Sequence, residues 1–127
     1  MRVMILAKST PATENAGRNP EGAQAMGRFH QELTDAGVLL AAGALQPSGK
    51  GVRVRFKGKD RHVMDGPFVE SKELVAGYWI WQVASLDEAI EWLKRAPFGD
   101  GMELEVRPIF EPDELPSVTS EVATGTA

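Results

Sequence analysis

Val75-Ala76-Gly77-Tyr78-Trp79-Ile80-Trp81-Gln82-Val83, followed by Ala84-Ser85-Leu86-Asp87-Glu88, is the stretch from which the fold is read. Its first nine residues carry no charge and are rich in β-branched and aromatic side chains, the composition of a strand buried on at least one face. Ser85 with Glu88 three positions later forms a capping box, so a helix starts there. Leu86, Ala89, Ile90 and Leu93 recur at helical spacing, and Pro97 and Gly99 close the segment. Residues 102–107 then alternate, with Met102, Leu104 and Val106 on one side and Glu103, Glu105 and Arg107 on the other. That pattern predicts a final strand.

Working upstream, Asp65-Gly66-Pro67-Phe68 interrupts any regular element. Before it, Val52, Val54 and Phe56 alternate with Arg53, Arg55 and Lys57. The turn Gly58-Lys59-Asp60 then folds residues 61–64 back as a hairpin partner. Residues 38–45 are an apolar run that predicts another strand. Asn19-Pro20-Glu21 is a helix start, with Asn19 as N-cap and Pro20 at the first helical position. Met26, Phe29, Leu33 and Ala36 form its apolar stripe, and Gly37 is its stop. Residues 1–7 predict a first strand and residues 9–19 a loop. The resulting order, β-α-β-hairpin-β-α-β, is a ferredoxin-like α+β pattern with an inserted hairpin.

The chain has 127 residues and no cysteine, which excludes disulfides, cysteine-ligated metals and thiol catalysis. With His30 and His62 as its two histidines, it offers no multi-histidine metal site, and neither metal nor cofactor is expected. The net charge of −4 comes from Glu111, Asp113, Glu114 and Glu121, which lack basic neighbours; residues 1–110 balance at 14 acids and 14 bases. One domain over residues 1–110 and an acidic, disordered tail over 111–127 are therefore expected. No stretch has the length and apolarity of a bilayer span, nor the start that of a signal peptide, which predicts a cytoplasmic protein. The basic run from Lys50 to Arg61 is explained as the solvent side of a hairpin, so nucleic acid is not the expected partner. Gly43 to Gly51 lacks the spacing and the Gly-Lys-Ser/Thr of a phosphate loop.

Right-handed crossovers place both helices on one face of a four-stranded sheet. The other face then carries either Trp79 and Trp81 or Tyr78 and Ile80, too apolar to leave in water. Pairing two such faces predicts a homodimer with a cavity between the sheets.

Asp65-Gly66-Pro67-Phe68-Val69-Glu70-Ser71-Lys72-Glu73, with Gly77-Tyr78, Ala89-Ile90-Glu91-Trp92 and Glu105-Val106-Arg107-Pro108, resembles the DGPF subgroup of the YCII-related domain family. Ala36-Gly37-Val38 and Gly43-Ala44-Leu45-Gln46-Pro47 resemble it too. The resemblance implies a dimeric α/β barrel, ferredoxin-like in each subunit. It also implies small enzymes using a His–Asp pair, and members found beside or fused to alternative sigma factors. In such relatives the histidine stands about three turns before the glycine that ends the first helix. Here that place falls near Met26, and His30 lies one turn later. Asp65 occupies the acidic position.

Two functions follow as expectations. One is a small cofactor-free enzyme doing acid–base chemistry on a small polar organic molecule at the dimer interface. Asp65 and His30 would then be catalytic, and Lys72, Tyr78 and Arg107 would bind substrate. The other is a non-catalytic binding or regulatory module acting with a sigma factor. Each residue also has a plainer explanation: Asp65 as a turn residue, His30 as a helix-surface side chain, Arg107 as the partner of Glu105.

Overall fold

Local chemistry sets the helix ends. The computed structural model describes residues 1–16 and 19–115. After strand β1 (Arg2–Ser9), helix α1 (Pro20–Asp35) begins where the Asn19 side chain accepts the Gly22 N–H at 2.6 Å. It ends at Gly37, whose φ of 73° suits glycine. There the Gly37 N–H donates to the Thr34 carbonyl and the Val38 N–H to that of Leu33, satisfying two terminal acceptors. Helix α2 (Leu86–Leu93) starts with the Ser85 hydroxyl accepting the Glu88 N–H at 3.1 Å. The Glu88 carboxylate reaches back to the Ala84 N–H, one residue before the cap.

Strands β2 (Leu39–Ala44), β5 (Leu74–Gln82) and β6 (Leu104–Pro108) join β1 in an antiparallel sheet of order β2-β5-β1-β6. That order is consistent with a ferredoxin-like α+β fold. Strands β3 (Val52–Lys57) and β4 (Asp60–Asp65) pair with each other as a separate two-stranded sheet, with Gly58 at φ 59° in the turn.

The alternation of β5 is resolved by the helices. Trp79 and Trp81 are buried beneath them with Val3, Ile5, Phe29, Leu33 and Ala89. Tyr78 and Ile80 therefore lie on the opposite face. Phe29 of α1 sits at the centre of the aromatic cluster, its ring 5.6 Å from Trp79, 6.4 Å from Trp81 and 6.3 Å from Trp92. The Trp81 indole N–H is buried without a partner among the described residues, a polar cost the packing must offset.

On the opposite face, Met4 and Leu6 of β1 stand beside Ile80 and Tyr78 of β5. Glu105 of β6 accepts from Arg107 at 3.0 Å and lies 3.1 Å from Lys8. These two partners, Arg107 first, hold the Glu105 carboxyl below its ordinary range. Beyond β6, Glu111 pairs with Arg2 at 3.3 Å, and Pro112–Glu114 form a 3-10 turn. Residues 116–127 of the expected tail lie outside the described residues. No helix among the described residues is long and apolar enough to cross a membrane.

Candidate ligand cleft

Helix α1 is built in two halves. Its C-terminal half carries Phe29 and Leu33, which pin it to the sheet. Its N-terminal half presents Gly22, Ala23 and Gly27 beside Met26, and the three small residues leave space beneath them unfilled. The strands below are equally small there: Ala7 on β1, Ala42 and Ala44 on β2, Gly77 on β5. Small residues on both facing elements leave a cleft of about 760 Å³. Pro97, Phe98 and Met102, from the connection between α2 and β6, wall it on another side. The lining is predominantly apolar, as ligand pockets generally are.

His30 and Trp79 form its polar end. The Trp79 indole N–H donates to Nε2 of His30 at 2.8 Å, with the two rings nearly perpendicular at 79°. Trp79 is itself held by stacking on Trp81 at 5.3 Å and by Phe29 and Phe98. An indole N–H can only donate, so Nε2 must be the unprotonated acceptor. The imidazole shown is thus neutral, with its proton on Nδ1, which has no hydrogen-bond partner among the described residues.

Burial lowers the pKa of His30 from its ordinary 6.5. The unfolded chain therefore takes up a proton on this histidine at a higher pH than the folded one does. Its stabilising contribution is complete above the unfolded pKa and is lost as pH falls toward the lowered folded value. Urea midpoints measured from about pH 7.5 down to about pH 5.5 are expected to fall more for wild type than for His30→Gln. An equal or smaller fall in wild type would refute this.

The other expected site residues lie elsewhere. Tyr78 borders the cleft floor in β5, but its side chain points to the open sheet face, where its ring covers Gly43 and an added Cβ would stand 2.5 Å from the ring. Asp65 ends β4, exposed and opposite Val52; it is not part of the lining and bonds neither histidine. His62 is exposed on β4 opposite Arg55. Lys72 is exposed in the connection before β5, and Arg107 lies on the open sheet face. The structure therefore brings His30 to the cleft but not the side chains of Tyr78, Asp65, Lys72 or Arg107.

Residues 65–68 instead form a clamp. The Gly66 N–H donates to the Gly51 carbonyl at 2.9 Å and the Phe68 N–H to the Ser48 hydroxyl at 3.1 Å. Ser48 is gripped in turn by the Glu14 carboxylate, which accepts both its N–H and its hydroxyl at 2.7 Å. Arg53 of β3 lies over the Phe68 ring, 3.8 Å from its centroid. The hairpin is tied in this way to the β1–α1 connection beside the cleft mouth, where Ala16 and Asn19 belong to the lining.

The cleft residues that sequence reasoning missed, Ala7, Gly27, Ala42 and Ala44, carry no chemical signal of their own. Their smallness on facing elements was the available clue.

Comparison with known proteins gives a family. The YCII-related domain matches residues 1–113. An uncharacterized protein of Rhizobium meliloti (strain 1021) is 37% identical over a 92-residue alignment that covers 68% of this chain and 73% of that protein.

Proposed function

The chain belongs to the YCII-related domain family, and on that premise we propose that it binds a small, largely apolar organic molecule in the helix-side cleft, with His30 as the polar contact. The observation that carries this is a cleft of about 760 Å³ closed at one end by an imidazole on a fixed tryptophan. The apolar lining favours such a ligand over the polar one expected from the sequence. Acid–base turnover would require Trp79 to release Nε2, since the nitrogen that would take a proton is already occupied.

Gly27 supplies the test. It lies in the middle of α1, and an added Cβ there meets nothing within 4 Å. Gly27→Leu is expected to fill the cleft while gaining helix propensity of up to about 1 kcal/mol. Acetophenone titrated into wild type should shift the Trp79 indole resonance, and in Gly27→Leu should not. A shift retained in the variant would remove this reading.

A second reading concerns the open sheet face. Met4, Leu6, Tyr78 and Ile80 lie together there beside Glu105 and Arg107. The β3–β4 hairpin adds Val52, Val54, Phe56 and Val63 on one of its sides, with Phe56 70% exposed. Apolar surface of this extent supports a homodimer. Its sheet-to-sheet cavity would engage Tyr78 and Arg107, and Asp65 and Lys72 would join only by approach from the partner. A dimeric mass by light scattering at micromolar concentration is expected; a monomeric mass rejects this reading.

A further inference from the structure

We infer that His30 serves the cleft as a neutral hydrogen-bond donor through Nδ1–H, and that the ligand is an uncharged, flat molecule presenting a carbonyl or similar acceptor to it. This rests on the cleft reading above and adds the direction of the hydrogen bond and the class of ligand.

Three observations converge. First, Trp79 cannot accept a hydrogen bond, so its 2.8 Å contact fixes which nitrogen of His30 is bare. Second, Trp79 is 6% exposed and braced by three aromatic rings, so it cannot easily turn away and free Nε2. Third, Nδ1 has no partner among the described residues, while His30 belongs to the cleft lining. An unpaired N–H beside an apolar cleft discriminates by the group set against it: a carbonyl oxygen satisfies it, whereas a methylene leaves it without a partner. A neutral imidazole held as a donor polarises a carbonyl without taking a proton. A flat molecule is favoured by the Trp79 and Phe98 rings, which lie 6.1 Å apart and line the cleft together with the small side chains of α1.

The tautomer is tested directly on the free, full-length protein by nitrogen NMR of the histidine rings near neutral pH. His30 should show a protonated Nδ1 and a bare Nε2. An Nε2–H tautomer or an imidazolium would overturn the inference without any ligand being present. Trp79→Phe, where it folds, should move His30 toward the Nε2–H form.

The ligand class is tested with acetophenone and α-methylstyrene, which share a shape and differ in the acceptor. Acetophenone is expected to bind roughly fivefold more tightly and to shift the His30 Nδ1 resonance. Equal affinities would leave the cleft reading standing and overturn the donor. Binding of neither would overturn the cleft reading itself and the ligand class with it.

Discussion

Phe29→Ala is expected to destabilise the domain by about 3–5 kcal/mol, a large part of the total for a chain of this size. Phe29 is 2% exposed, and its ring touches Trp79, Trp81 and Trp92 at once. It joins α1 to the sheet and, through Trp92, to α2. Truncation removes the transfer free energy of the ring and opens a cavity that three indoles cannot close by small movements. The neighbouring half of α1 offers little substitute, because Met26 is its one large side chain against the core and Gly22, Ala23 and Gly27 border the cleft. Urea denaturation followed by tryptophan fluorescence measures the effect. A loss below about 1 kcal/mol would mean that the aromatic cluster does not anchor the helix.

Gly66→Ala is expected to cost about 3 kcal/mol, at the upper end of overpacking effects. The new Cβ would stand 1.7 Å from the Ser48 carbonyl oxygen and 2.6 Å from its carbon. The atoms it meets are backbone and a Cβ is fixed by its own main chain, so no rotamer change relieves the clash. Moving Ser48 away would also strain its two bonds to Glu14 and the bond from Phe68. The damage should be local first. A two-stranded sheet is marginal by itself in water, and this one depends on the clamp. Hydrogen exchange is expected to quicken at the amides of β3 and β4 while those of Val3, Ile5 and Trp81 stay protected. Unchanged protection in the hairpin would show that residues 65–68 are not what holds it.

The most distinctive segment of the sequence, Asp65-Gly66-Pro67-Phe68, offers both an acid for a site and a turn; its main-chain contacts place Gly66 and Phe68 in a clamp, and Asp65 lies outside the helix-side cleft. The helix boundaries were legible because caps and stops act between residues three or four apart, as at Asn19 with Gly22, Ser85 with Glu88, and Gly37 with Thr34. The hairpin was legible because alternation and a glycine turn are equally local.

Other features depended on partners far along the chain. Alternation alone left open whether Trp79 or Tyr78 faced the helices, because it fixes that the two differ and not which side is covered. The cleft arises where small residues from α1, β1, β2 and β5 coincide, and no single segment records that coincidence. His30 and Trp79 stand 49 positions apart, and their hydrogen bond decides which nitrogen bears the proton. Sequence by itself determined the elements, their order and their ends, since these are set by dihedral preference and nearest-neighbour hydrogen bonding. Only the tertiary structure decided where space was left unfilled and which lone pair was occupied, since both are sums over residues that folding alone brings together.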